Sequence, residues 1–118
     1  MTCLIVDDSS LFLDGAADLL ERQGIEVVGV ALTSAKAVRL VEELRPDIAL
    51  VDVDLGDDDG FALTEQLSQI PGAPKVILVS THAEEDLAHL IASSSALGFV
   101  AKARLSAEAI LDLLDRAA

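Results

Sequence analysis

Five short apolar runs, rich in β-branched side chains, are each followed by a longer stretch of helical spacing, and this alternation constrains the chain most. The runs are CLIVD (3–7), EVVGVA (26–31), IALVD (48–52), KVILV (75–79) and LGFV (97–100). Those at 48–52 and 75–79 are almost wholly apolar, which predicts central strands buried on both faces. Strand–helix–strand crossovers in one sheet are right-handed and place helices on both of its sides.

The stretches between the runs carry helix signals. Ser10 is placed to cap a first helix through Leu11, Leu19 and Leu20, ended by Gly24. Ser34 opens a second through Val38, Leu40, Val41 and Leu44, stopped by Pro46. A third follows Gly60 and ends before Pro71, a fourth starts near Ala83, and a fifth follows Ser106. The triple serine at 93–95 reads as a frayed end of the fourth helix. Five strand–helix pairs predict an α/β, flavodoxin-like (βα)5 doubly wound parallel sheet with strand order 2-1-3-4-5. Functional groups of such sheets gather at the carboxyl ends of strands 1 and 3.

A chain of 118 residues, 52% hydrophobic, has material for one core, so residues 1–118 are read as one domain. With 21 acids against 8 bases the formal charge is −13, which repels phosphate backbones and anionic lipid. This domain alone is expected to bind neither nucleic acid nor membrane. A single cysteine, Cys3, allows no intramolecular disulfide and no Cys/His zinc box, and reads as a small buried side chain. The first residues lack a basic region and a long apolar run, so the expected location is the cytoplasm.

The chemistry-bearing residues fall where the topology predicts. Asp7 and Asp8 end the first strand and Asp52 ends the third, its predicted neighbour. Three converging carboxylates raise one another's pKa unless a cation neutralises them, and a hard divalent ion with oxygen ligands does so: Mg²⁺, or Mn²⁺. Ser80 and Thr81 follow the fourth strand and Lys102 the fifth. A carboxylate, a divalent ion, a hydroxyl and a lysine on one rim suit phosphoryl transfer, with Asp52 as the nucleophile.

With LIVDD (4–8), LVDVDLGDDDG (50–60), ILVS (77–80) and GFVAK (98–102) in view, the chain resembles the receiver domain of two-component response regulators over essentially its whole length. GIEVVGVA, LRPDIALVD and the absence of proline after Lys102 make it similar to receivers of the NarL/LuxR type. The resemblance implies that Asp52 is the phosphoacceptor, Asp8 a direct metal ligand, Asp7 a ligand through water, and Asp54 a donor of its backbone carbonyl. It implies further that Ser80 is the switch hydroxyl, Lys102 the partner of the phosphoryl group, and Phe99 the aromatic that turns inward with Ser80. Asp54, Thr81 and His82 occupy positions that govern access and dephosphorylation. The implied partner is a sensor histidine kinase, and the implied responding surface is the fourth helix, fifth strand and fifth helix, which also offers a polar homodimer face. Such receivers normally precede a helix-turn-helix domain that controls transcription, whereas this chain stops after its fifth helix.

Three differences from the family pattern stand out. Leu55-Gly56 replaces the usual Met-Pro, which predicts a flexible turn in place of a rigid one. Asp57, Asp58 and Asp59 read as a solvated acidic loop. Thr81 stands where Ala or Gly is usual, and its branch narrows the approach to Asp52.

Other functions fit less well. VDVDLG also reads as the Asp-x-Asp of a haloacid-dehalogenase-type phosphatase, but those enzymes carry it on the first strand and need more chain. A Toprim-like nuclease wants a Glu where this chain has Asp7-Asp8. A pseudo-receiver that binds protein without accepting phosphate is opposed by the intact set of Asp52, Ser80 and Lys102. The receiver reading predicts no substrate-turning enzyme, only self-phosphorylation and autodephosphorylation.

Overall fold

The computed structural model describes residues 1–117. Five strands, β1 (Thr2–Val6), β2 (Glu26–Ala31), β3 (Ile48–Asp52), β4 (Lys75–Ser80) and β5 (Gly98–Ala101), form one sheet in the order β2-β1-β3-β4-β5. All four pairings are parallel, and the order is the one expected. Helices α1 (Ser10–Arg22), α2 (Ser34–Leu44), α3 (Gly60–Ser68), α4 (Glu84–Ser93) and α5 (Ala107–Ala117) supply the crossovers and final layer. A short 3-10 turn, Lys102–Arg104, leads out of β5. No described helix is long and apolar enough to cross a membrane.

Strand alternation sorts the core into two layers. Cys3, Ile5, Ile48, Leu50, Ile77 and Val79 face α1 and α5, where they meet Leu13, Leu20 and Ile110. Leu4, Val6, Ala49, Val51 and Leu78 face the other way, onto Val41, Leu63 and Leu67. Every residue of β3 is buried, as its apolar sequence predicts for the central strand. Burial also pushes the Cys3 thiol up to about 12, which leaves it an inert core side chain.

Helix ends depart from the sequence reading in instructive ways. The cap of α1 is Ser9, not Ser10: Ser9 Oγ accepts from the Phe12 amide at 3.2 Å, and Ser10 is already helical. The cap of α2 is Thr33, one residue before Ser34, by the same geometry. In both places a neighbouring pair of hydroxyl residues could cap, and strand exit decides which one has extended backbone. Gly24 follows α1 with φ 93°, the left-handed residue predicted there. The 93–95 serines are not a frayed end, because Ser95 donates through its amide and hydroxyl to both oxygens of Glu65, at 2.7 and 2.6 Å.

The segment after β3 takes a regular conformation. Asp54–Leu55 pairs antiparallel with Asp58–Asp59 as a miniature ladder, Leu55 is buried, and Gly56 opens the two-residue turn at φ 69°. A left-handed first residue is what so tight a turn needs, so Gly56 fixes the loop by a route different from proline. Two of the three loop acids also have structural partners. Asp58 accepts from the Ser34 amide at 3.1 Å and Asp59 caps α3 through the Phe61 amide at 2.8 Å.

Candidate functional site

Strand alternation carries past the carboxyl edge of the sheet. Asp7 continues the row of Cys3 and Ile5, Asp52 that of Ile48 and Leu50, and Lys102 that of Val100, so all three fall on the α1/α5 side. Pairing of Val6 with Val51 brings the ends of β1 and β3 level. Asp7 is fully buried and Asp52 is 4% exposed, while Asp8 faces solvent. One carboxylate oxygen from each of the three lies within 4.8 Å of the others.

Lys102 reaches back over this cluster. Its Nζ stands 2.6 Å from Asp7 Oδ2 and 3.3 Å from Asp52 Oδ2. The Lys102 ammonium is thus the close neighbour of the buried Asp7 Oδ2. Asp7 Oδ1 accepts from the Ser9 amide at 2.8 Å, which fixes the carboxylate to the first turn of α1. The Asp54 amide donates to Asp52 Oδ1 at 3.3 Å, which lays the Asp54 peptide along the phosphoacceptor candidate.

These surroundings set the charges. Burial pushes the Asp52 carboxyl up to about 6, negative Asp7 adds to the rise, and Lys102 and the Asp54 amide oppose it. Burial works against the Lys102 ammonium, but its contacts with Asp7 and Asp52 outweigh that and hold its pKa above the ordinary lysine value. One lysine thus offsets part of the repulsion among three acids. Three carboxylate oxygens so spaced, with more negative charge than one lysine can neutralise, fit a hard divalent cation, and Asp7, Asp8 and Asp52 would hold it.

The remaining expected residues distribute around this centre. Ser80, 1% exposed, ends β4 beside Ala101, and its Oγ accepts from the His82 amide at 3.0 Å. Thr81 is exposed on the rim. His82 Nε2 meets Asp54 Oδ2 at 3.2 Å, and this pair ties the β4–α4 loop to the loop after β3. Phe99 lies on the other sheet face, 8% exposed, in the cluster with Leu87, Ile91 and Ala101. The ring expected to turn inward is therefore already buried. Two contributors went unnoticed in the sequence, Phe12 beside Lys102 and the Asp54–His82 pair; neither has a local signal.

A hollow of about 610 Å³ lies beside α5, lined by Gln23, Ser106 and Leu111, and includes none of the acids of the cluster.

Comparison with known proteins shows the family and the fold. The family model for the response regulator receiver domain matches residues 3–115. The transcriptional regulatory protein LiaR of Bacillus subtilis is 33% identical over 106 residues, which cover 89% of this chain and 50% of LiaR. The chain thus spans about half the length of that relative. The signal receiver domain of the putative response regulator NarL from Mycobacterium tuberculosis superposes with TM-score 0.84 at 29% identity, covering 98% of this chain and 94% of that one. A response regulator from Burkholderia pseudomallei with a phosphorylated aspartic acid, calcium ion and citrate superposes with TM-score 0.82 at 26% identity, covering 96% and 65%.

Proposed function

This chain belongs to the response regulator receiver domains of two-component systems, and on that premise we propose that it is a switch set by phosphorylation of Asp52. The observation that carries the reading is the convergence of Asp7, Asp8 and Asp52 oxygens within 4.8 Å under the ammonium of Lys102. The phosphoryl donor is a phosphohistidine of a sensor histidine kinase. An Asp52 oxygen attacks phosphorus, the new P–O bond forms as the P–N bond breaks, and the leaving imidazole takes up a proton. With its carboxyl near 6, Asp52 is mostly ionised at neutral pH and so able to attack. Lys102 then pairs with the transferred oxygens. Mg²⁺ or Mn²⁺ bound at the acids would neutralise charge on the phosphoryl group.

Ser80 is the group free to respond. Its hydroxyl oxygen accepts from the His82 amide two residues on, which leaves its O–H to donate to a phosphoryl oxygen. Ser80 and Phe99 lie on the α4 side of the sheet by alternation, so movement at Ser80 reaches α4, which has no fully buried residue. The output face is then α4, β5 and α5, where Glu84, Glu85, Asp112, Arg104 and Arg116 border a hollow of about 540 Å³. Charges of both signs suit a homodimer or an output domain there. LiaR is a transcriptional regulator, which supports transcription as the output. The chain's own charge of −13 leaves DNA contact to another domain.

Acetyl phosphate with Mg²⁺ is expected to add one phosphoryl group to the wild type and none to Asp52→Asn, read by intact mass. Labelling that survives in Asp52→Asn overturns the assignment. An unlabelled wild type marks a pseudo-receiver, and sustained hydrolysis of a free phosphate ester marks a phosphatase. His82 and Asp54 pair at 3.2 Å, and on this reading the pair, with Thr81 beside it in sequence, hinders the approach of water to the acyl phosphate. His82→Ala is expected to shorten the phosphorylated lifetime roughly two- to fivefold, a size set by the weakness of an exposed pair. An unchanged or longer decay time would remove that role.

A further inference from the structure

We propose that Phe12 is a positioning residue for Lys102, holding its ammonium at the phosphoacceptor through the face of the ring. The inference rests on the phosphoryl-transfer reading of the same site. Lys102 Nζ lies 4.4 Å from the centre of the Phe12 ring, 2.6 Å from Asp7 Oδ2 and 3.3 Å from Asp52 Oδ2. The ammonium is thus enclosed by two carboxylates and one aromatic face, and its side chain is only 16% exposed. A ring face carries partial negative charge and attracts a cation most where water is excluded.

Local structure makes this contact stiff. The Ser9 amide donates to Asp7, and Ser9 Oγ in turn accepts from the Phe12 amide, so one short turn orients the carboxylate and the ring together. Phe12 is also partly buried against the core cluster that includes Leu13, Val100 and Leu105. Phe12 is five residues from Asp7 but ninety from Lys102, and only the α1/α5 layer brings the two together.

The ring matters because the carboxylate contacts do not last through the reaction. Once Asp52 carries a phosphoryl group its oxygen is no longer the same anion, and Asp7 is one of the residues fit to hold a divalent ion. The ring neither titrates nor binds that ion. Of Asp7, Asp52 and Phe12 it is the one whose charge distribution stays the same before and after transfer, and it keeps the ammonium on the Asp52 side instead of in solvent.

The test replaces Phe12 by mono-, di- and trifluorophenylalanine in the full chain, which drains the ring of charge while nearly keeping its shape. The initial rate of phosphorylation by acetyl phosphate with Mg²⁺ is expected to fall with each fluorine, to roughly a third to a tenth for the trifluoro ring and for Phe12→Leu. Phe12→Tyr should stay within about twofold, since it keeps the ring face. In the metal-free protein, the Lys102 ε-methylene protons should be shifted upfield by the ring and return to the ordinary position in Phe12→Leu. A rate that is flat across the fluorinated series, even with a slow Phe12→Leu, assigns the ring to packing alone and overturns the proposal. So does an unshifted ε-methylene. A wild type that takes no phosphoryl group refutes the functional reading instead, and the methylene shift still decides the contact.

Discussion

Asp52→Asn is expected to stabilise the metal-free protein by about 2–3 kcal/mol at pH 8 while abolishing its phosphorylation. Asp52 is 4% exposed and its carboxyl is pushed from 3.8 up to about 6, by burial first and Asp7 second. A carboxyl whose pKa is higher folded than unfolded prefers to be neutral in the fold, so ionisation favours the unfolded chain. The penalty is absent below about pH 4, grows between about 4 and 6, and is complete above about 6. Wild-type stability relative to Asp52→Asn should therefore decline across that window and then level off. Urea denaturation with a chelator at several pH values measures it. Equal stability of the two proteins at pH 8 would refute the expectation. Millimolar Mg²⁺ should narrow the gap, because the wild type offers three carboxylates to the ion and the variant two. The instability is that of a site holding unneutralised charge in readiness for a ligand.

Gly60→Ala is expected to destabilise by about 3 kcal/mol or more and to weaken Mg²⁺ binding with it. A Cβ on Gly60 would stand 2.0 Å from the Asp52 carbonyl oxygen and 2.8 Å from Val53 Cα. Both are backbone atoms and cannot turn aside as a side-chain end can. Gly60 is also fixed from two directions: its amide donates to Val53 O at 2.9 Å, and its carbonyl accepts from the buried Thr64 hydroxyl at 2.8 Å. Relief must therefore come from moving the end of β3, which is Asp52. Gly15→Ala is the contrast, since nothing lies within 4 Å of its Cβ and it sits inside α1. It should stabilise by about 0.5–1 kcal/mol. Thermal melts of the two variants would fall on opposite sides of the wild type. A Gly60→Ala protein with wild-type melting and Mg²⁺ affinity would show that the segment yields.

The fold was legible because its signals are periodic and repeated. Two-residue alternation in β1, β3 and β4 states which side chains share a face, and the apolar content of β3 states that it is central. Those rules place Asp7 and Asp52 at one edge without any coordinates, and Ser80 at the next strand end. Choices between near-equivalent neighbours were less legible. Ser9 or Ser10, Thr33 or Ser34 each offer the same oxygen one residue apart, and the exit of the preceding strand settles which is extended. Leu55-Gly56 looked loose because glycine permits many conformations; the antiparallel pairing of Asp54–Leu55 with Asp58–Asp59 selects one. Asp58 and Asp59 are exposed, as a solvated acidic loop should be, and the structure adds that they also accept from amides at the starts of α2 and α3.

By itself the sequence determined the two core layers from short-range periodicity, and the strand order and the edge on which the acids meet from the flavodoxin-like arrangement that five strand–helix pairs suggest. Only the tertiary structure decided how charge is arranged on that edge. Lys102 is 95 residues from Asp7 and His82 is 28 from Asp54, distances over which no periodicity operates. Whether the lysine leans on Asp7, Asp52 and the Phe12 ring, and how far Asp52 is driven toward its neutral form, depends on burial and separations of a few ångströms. Electrostatic interaction varies steeply over such separations in a low-dielectric interior, so residue types and spacing alone leave it undetermined.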